Sequence, residues 1–153
     1  MSNLKGKRKE YLSVKDLQKV LDSCKLHLSQ VDEVWPNIYI GNLAVAQNKT
    51  ALQKLDDSTH FDLDVYFQPA ADFIHKALKS PDGKVLVHCI MGMSRSSTLV
   101  LAYLMIYHHL PLKQALQKLI QKRAIYPNRN FLALLLDLDL QLMRKKKKTC
   151  QIL

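Results

Sequence analysis

The sequence contains little of what marks membrane-spanning, secreted or metal-binding proteins. No apolar run reaches the roughly 18 residues of a transmembrane helix, and the basic N-terminus lacks the apolar core of a signal peptide. Only three cysteines occur, Cys24, Cys89 and Cys150, and without a secretory signal they favour reduced thiols and a cytoplasmic location. Cys24 and His27 form a lone C-x-x-H pair with no second ligand pair nearby, so no metal site is predicted.

Acidic residues are in the minority, with 13 Asp and Glu against 23 Lys and Arg, which gives a net charge of +10. The excess lies at the two ends, because residues 1–10 carry four basic residues and one acidic one, and residues 144–148 are all basic. A nucleic-acid-binding domain more often carries its charge on a folded face, with aromatic side chains for stacking. We therefore predict no nucleic-acid partner.

Size and composition predict a single globular domain with flanking segments. The chain has 153 residues, of which 48% are hydrophobic and 24% charged, a balance that allows a substantial core. We expect an N-terminal basic arm and helix over residues 1–30, the folded domain over 31–143 and a polybasic tail over 144–153.

The local patterns predict an α/β fold. Ser13 with Asp16 is typical of a helix start, and apolar residues at helical spacing follow it as far as Leu28. Pro36 and Asn37 indicate a turn between two short strands within 34–41. The remaining predicted elements are helices over 42–55, from about 61 to 79, 95–109, 112–122 and 128–144, a strand over 84–88, and a polar loop over 56–60.

The predicted strand at 84–88 implies a larger sheet than the chain supplies. Val85, Leu86 and Val87 are apolar on both faces, which is typical of a strand inside a mostly parallel sheet. Only the region 34–41 offers further strands, so the predicted sheet is undersized for the helices around it.

The segment His88–Ser96 carries the strongest chemical signal, because it joins this strand to a helix and places five residues between a cysteine and an arginine. A loop that enters a helix N-terminus turns its N–H groups inward and forms an anion cradle. Gly92 lets the loop curl, and the planar fork of Arg95 suits two phosphate oxygens. Cys89 then lies at the floor, where such surroundings lower a cysteine pKa to roughly 3.5–7.5 and make the thiolate a nucleophile.

The simpler alternative is a buried structural cysteine followed by a surface arginine. Five residue types lie in the strand–loop–helix context that a phosphate-binding loop requires, and they favour such a loop instead. They are His88, Cys89, Gly92, Arg95 and Ser96. The predicted phosphate-binding residues are Ile90, Met91, Gly92, Met93, Ser94 and Arg95.

Four segments resemble the atypical dual-specificity protein phosphatases of the cysteine-based tyrosine phosphatase superfamily, and with residues 61–79 they cover most of 31–143. These segments are Asp32–Gly41, His88–Ser96, Thr98–Met105 and Pro127–Leu132. The resemblance implies a central sheet flanked by helices. It also implies hydrolysis, without metal or other cofactor, of phosphotyrosine and phosphoserine or phosphothreonine in protein substrates.

The resemblance also implies roles for individual residues. Cys89 is expected to form a cysteinyl-phosphate, Arg95 to bind the phosphate and stabilise the transition state, and Ser96 to assist the departing thiolate. His88 is expected to support the loop and the cysteine pKa. Asp57 matches the general acid that protonates the leaving oxygen, and its neighbour Asp56 is the weaker match.

One departure from the family pattern concerns the sheet. Family members continue with two further strands after the helix that matches residues 44–55, whereas here Leu55 is followed directly by Asp56. A deletion of this kind explains the missing strand partners and leaves the assembly of the site open. The alternative function is therefore a catalytically impaired variant that acts as a phosphate-binding or interaction protein.

The carboxyl end predicts a membrane contact. The last four residues, Cys150-Gln151-Ile152-Leu153, fit the C-a-a-X prenylation pattern, and a final leucine favours geranylgeranyl on Cys150. The adjacent basic run supplies the second signal that a single prenyl chain needs, by attracting anionic lipid. A cationic tail that matches the pattern by chance is the alternative.

Overall fold

The described part of the protein combines a three-stranded sheet with five α-helices and one 3-10 helix. The computed structural model describes residues 12–42, 63–89 and 91–151. The basic arm, nearly all of the helix predicted over 42–55, the junction at 55–56 and the loop over 56–60 lie outside these ranges. In chain order the elements are α1 (Val14–Asp22), β1 (Val31–Trp35), β2 (Ile38–Gly41), a 3-10 helix (Leu63–Tyr66), α2 (Phe67–Lys79), β3 (Val85–His88), α3 (Arg95–Tyr107), α4 (Leu112–Ile120) and α5 (Arg129–Gln151).

The sheet has the strand order β1-β2-β3. Strands β1 and β2 form the predicted hairpin, with Asn37 at a φ of 66° in the turn, a conformation that asparagine tolerates better than most residues. Strand β3 runs parallel to β2, with Ile38 opposite Val85 and Gly41 opposite His88. The loop that follows His88 therefore leaves the sheet beside Gly41, at the carboxyl ends of two parallel strands.

The expectation of a shortened α/β sheet is confirmed. Val85 and Val87 are buried, as expected of an interior strand. Within the residues that the structure describes, however, β3 pairs with β2 alone and forms one edge of a three-stranded sheet.

Helix α3 is the central helix of the core. Its residues from Arg95 to Met105 are all buried, including four polar ones at its start. An apolar stripe would leave one face in water, but this helix is apolar on all sides after its first turn, so it is covered by neighbouring elements. The core joins it to Ile38, Ile40, Leu116 and Phe131 of the surrounding strands and helices.

Two predicted helices differ from the structure in detail. Helix α1 begins as predicted, with the Ser13 hydroxyl accepting from the Asp16 N–H, but it ends at Asp22, because the Ser23 hydroxyl donates to the Val20 carbonyl and the chain turns toward β1. In α2 and the preceding 3-10 helix, the apolar side chains of Phe73 and Val65 are not part of the core. They are instead 51% and 64% exposed.

The carboxyl-terminal helix is longer than the sequence predicted. Asn128 caps α5 as expected, since its side-chain oxygen accepts from the Phe131 N–H at 2.8 Å. The backbone then stays helical to Gln151 rather than ending near residue 144. Lysine and leucine are good helix formers, and no proline or glycine interrupts residues 129–151.

Candidate active site

The segment between β3 and α3 forms a cradle around the sulfur atom of Cys89. Cys89 is buried at the end of the strand, and the Gly92 N–H donates to its Sγ at 3.1 Å. The Ser96 hydroxyl lies 3.3 Å from the same sulfur. The strand-end position and the turn into α3 thus bring these three residues together, as the loop pattern predicted.

The hydrogen bonds around Cys89 change its acidity. Burial raises the pKa of the thiol, because desolvation disfavours the thiolate. The Ser96 hydroxyl and the backbone N–H groups of Ser96, Gly92 and Met93 outweigh that effect, and the pKa of Cys89 lies below its ordinary value. The cradle therefore favours the nucleophilic form of the sulfur.

Arg95 is the first residue of helix α3 and is only 3% exposed. The turn before it is held by side-chain hydroxyls, since Ser97 donates to the Met93 carbonyl at 2.5 Å and Thr98 donates to the Ser94 carbonyl at 2.6 Å. The carbonyl oxygens of Met93 and Ser94 therefore already accept hydrogen bonds from within the protein. The N-terminus of α3 thus combines backbone N–H groups with an arginine, and both are donors of the kind that a phosphate dianion accepts from.

Gly92 is required in this loop for two reasons. Its φ of +67° belongs to the left-handed region that side chains rarely adopt. A Cβ atom at this position would lie 2.5 Å from Nη2 of Arg123 and 2.7 Å from the carbonyl oxygen of Gly41. The loop can therefore pack against β2 and Arg123 only with glycine here.

Arg123 is the residue of this site that the sequence analysis missed. It follows α4, is fully buried, and donates from Nε to the Gly92 carbonyl at 2.9 Å and from Nη2 to the Met91 carbonyl at 3.3 Å. Its Nη1 donates to Asp32 of β1 at 2.8 Å. Its neighbour Lys122 is exposed, and the pair Lys122-Arg123 gave no sign in sequence that one member is buried.

Other expected site residues are placed only in part. His88 ends β3, and both of its ring nitrogens are buried without a hydrogen-bond partner among the described residues, so its supporting role stays a prediction. Met91 is 54% exposed at the rim of the loop. Ile90, Asp56 and Asp57 lie outside the described residues, as does the side chain of Cys150. In the same described part, no three His, Cys, Asp or Glu side chains come together as a metal site would require.

A nucleophilic cysteine, a phosphate-binding arginine and an N–H cradle in this order are the features of a cysteine phosphatase loop. The family model for the catalytic domain of dual specificity phosphatases matches residues 8–141. The chain belongs to the dual specificity phosphatase family. It is thus a cysteine-based protein phosphatase by family, with phosphorylated proteins as the implied substrates.

The curated relatives that the chain matches belong to the same family. Dual specificity protein phosphatase 26 of Homo sapiens is 42% identical over 164 aligned positions, which take in 86% of this chain and 78% of the relative. The mouse protein of the same name is 41% identical over the same shares. Since 164 positions exceed the 153 residues of this chain, the relatives contain residues without a counterpart here. That difference accords with the shortened sheet.

Solved structures support the fold. Human DUSP28 superposes with a TM-score of 0.68 at 21% identity and covers 76% of this chain and 97% of its own. A mouse dual specificity phosphatase, solved with zinc tungstate, gives a TM-score of 0.66 at 21% identity and covers 80% and 94%. At this identity the likeness shows the shared architecture.

Proposed function

We propose that this chain hydrolyses phosphate monoesters of tyrosine, serine and threonine in proteins through a phosphate carried on Cys89. One observation carries the proposal: the Cys89 sulfur accepts the Gly92 N–H at 3.1 Å and lies 3.3 Å from the Ser96 hydroxyl, at the start of the helix that opens with Arg95. A thiolate at the floor of a donor-lined cradle stands in line with the phosphorus of a phosphate bound above it.

In the first step the Cys89 thiolate attacks the phosphorus atom. The S–P bond forms as the bond from phosphorus to the tyrosine, serine or threonine oxygen breaks, and the electron pair stays on that oxygen. Asp57 gives its proton to the oxygen, which avoids the departure of a free alkoxide or phenolate. Arg95 and the loop N–H groups hold the non-bridging oxygens, where negative charge is concentrated in the transition state.

In the second step a water molecule attacks the phosphorus of the cysteinyl-phosphate. The Asp57 carboxylate takes a proton from this water, the S–P bond breaks, and the electron pair returns to Sγ. The Ser96 hydroxyl, 3.3 Å from that sulfur, donates to the thiolate as it leaves. The products are inorganic phosphate and the free side-chain hydroxyl, so the cycle needs no cofactor.

A second candidate function follows from the strand deficit. Among the described residues β3 has a neighbour on one side only, and the family relatives contain residues that this chain lacks. The cradle belongs to the loop after β3 and to α3, whereas Asp57 belongs to a separate segment. If that segment does not reach the cradle, the chain binds phosphate groups without turning them over and acts as an interaction protein.

Leaving-group dependence tests the general-acid proposal. We expect Asp57→Ala to lower kcat/KM by about a hundredfold or more for phenyl phosphate, whose leaving group needs a proton, and far less for p-nitrophenyl phosphate. The parameter kcat/KM is used because it excludes the second step, which is the same for both esters. Initial rates of the purified chain on both esters measure this difference. Asp56→Ala is the matched comparison and should leave both rates within about threefold of the unmutated chain, because Asp57 supplies the proton in this proposal.

Equal losses on both esters would argue against Asp57 as the acid. If the unmutated chain is no faster than Cys89→Ser on either ester, the catalytic proposal fails. Calorimetric titration with inorganic phosphate then decides for or against the phosphate-binding alternative.

The carboxyl terminus is proposed to hold the protein at an anionic membrane from the cytoplasmic side. The structure offers no helix of the length and apolarity needed to cross a bilayer among the residues it describes. The proposed contact depends on prenylated Cys150 and the basic residues 144–148. In favour of a surface contact, Met143 is exposed and lines an apolar groove together with Leu142, Lys145 and Lys146. Each basic residue near an anionic surface contributes about 1 kcal/mol.

We expect Cys150→Ser to move the protein from the membrane fraction to the soluble fraction of prenylation-competent cells. One prenyl chain with a basic run is sufficient for stable anchoring, whereas a basic run alone binds weakly and reversibly. Fractionation followed by intact-mass measurement reads both location and modification. Cys24→Ser is the control and should stay with the membranes. A Cys150→Ser chain that fractionates like the unmutated one would contradict the proposal.

A further inference from the structure

Arg123 connects three parts of the chain that are far apart in sequence. Its Nε and Nη2 donate to the carbonyls of Gly92 and Met91, and its Nη1 donates to the Ser29 carbonyl at 2.9 Å and to Asp32 at 2.8 Å. The side chain is fully buried, whereas Asp32 is 27% exposed. Its own backbone is fixed as well, because its N–H donates to the Leu119 carbonyl at the end of α4.

These bonds determine which way two peptide groups of the loop point. In a trans peptide the carbonyl of one residue and the N–H of the next point in opposite directions. The Met91 carbonyl faces Arg123, so the Gly92 N–H points away from it, and this N–H donates to the Cys89 sulfur at 3.1 Å. The Gly92 carbonyl also faces Arg123, and the Met93 N–H correspondingly points toward Cys89.

We propose that Arg123 is a positioning residue of the phosphate site, which holds two successive peptide groups with their N–H ends toward Cys89 and the bound phosphate. This inference rests on the proposed function of the cradle. Without the guanidinium, either peptide could rotate and present a carbonyl oxygen to the phosphate. A carbonyl dipole repels an anion, so the same loop would then oppose binding.

Asp32 gives the arrangement its rigidity. Its Oδ2 accepts from Arg123 at 2.8 Å and from the Ser29 hydroxyl at 2.7 Å, which ties the guanidinium to β1. The Arg123–Asp32 ion pair has no net charge. Arg123 therefore acts on the cradle through the direction of its hydrogen bonds more than through its own charge. Glycine at position 92 is part of the same device, because a Cβ there would lie 2.5 Å from Nη2.

The test uses Arg123→Lys, which keeps the charge but cannot reach two carbonyls with a planar fork. Asp32→Asn is the milder second variant, and Arg129→Lys, at an exposed site on α5, is the matched control. Two measurements apply to each folded chain: calorimetric titration with inorganic phosphate, and the pH dependence of Cys89 alkylation by iodoacetamide, read by mass spectrometry. Thermal unfolding establishes that each variant is folded.

We expect Arg123→Lys to weaken phosphate binding by about tenfold, the effect of losing one charge-assisted hydrogen bond. The alkylation midpoint of Cys89 should rise by roughly half to one pH unit, since N–H groups turned away from Sγ no longer stabilise the thiolate. Asp32→Asn should weaken binding by about threefold, because Asn still accepts from Arg123 without a charge. Arg129→Lys should change neither quantity.

A folded Arg123→Lys chain with unchanged phosphate affinity and unchanged alkylation midpoint would overturn the inference. If Arg123→Lys does not fold, an Asp32→Asn chain identical to the unmutated one in both readouts would overturn it. If the unmutated chain binds no phosphate, the proposed function fails, and the alkylation midpoints alone decide whether Arg123 positions the loop.

Discussion

Cys89→Ser should remove at least about 99.9% of the phosphatase activity, because a serine hydroxyl in the same place is not ionised near neutral pH and is a far weaker nucleophile. The loss should appear in kcat on p-nitrophenyl phosphate and on phosphopeptides. Binding of inorganic phosphate should survive, since the Gly92 N–H and Arg95 belong to the cradle and not to the nucleophile. Initial rates and calorimetry on the same preparations measure both quantities.

Cys24→Ser is the control for this substitution. Cys24 is partly buried, and its Sγ donates to the Ile120 carbonyl at 3.3 Å, a bond that a serine hydroxyl can replace. We expect activity within about twofold of the unmutated chain, as for other conservative changes outside a site. Full activity of Cys89→Ser with loss of activity in Cys24→Ser would refute the assignment of the nucleophile.

Arg95→Lys should lower kcat/KM by about a hundredfold or more, although it preserves the positive charge. The guanidinium can donate two parallel hydrogen bonds to a phosphate, and an ammonium ion cannot match that geometry. Removal of one preorganised donor from a comparable charge-stabilising site costs about 10²–10³ in rate. The burial of Arg95 strengthens the effect, because few water molecules can replace the missing donor.

The exposed Arg144 on α5 provides the control, and Arg144→Lys should leave kcat/KM unchanged. Steady-state kinetics with thermal unfolding separates a lost donor from a lost fold, since Arg95 opens the central helix α3. If a folded Arg95→Lys chain stays within about threefold of the unmutated rate, charge alone explains the contribution of this residue.

Local features were predictable because their causes lie within a few residues of one another. The cap at Ser13 needs only Asp16, three positions away, and the cap at Asn128 needs only Phe131. The turn at Asn37 and the apolar run of β3 are similarly short-range signals. The loop from Cys89 to Ser96 is compact enough for spacing alone to predict that the sulfur meets N–H groups.

Burial of individual side chains was less predictable. Phe73 and Val65 are large apolar residues within helical segments, yet both are exposed. Periodicity gives the rotation of a helix about its own axis, but the neighbours of that helix determine which apolar residues they cover. The carboxyl-terminal helix illustrates a second limit. Its predicted end was residue 144, where the basic run begins, but lysine favours a helix and the backbone stays helical to Gln151.

The sequence by itself determined the family and the strand–loop–helix unit, since both depend on short segments. It also predicted Cys89 as the nucleophile and Arg95 as the phosphate-binding residue from the same segment. It also indicated that the sheet lacks strands, because the strand over 84–88 is apolar on both faces and the sequence offers few strands to pair with it. Only the tertiary structure placed Arg123 beneath the loop, 31 residues from Gly92 and 91 from Asp32. Spacing along the chain carries no record of such a contact, because it forms only when β1, the end of α4 and the loop pack together.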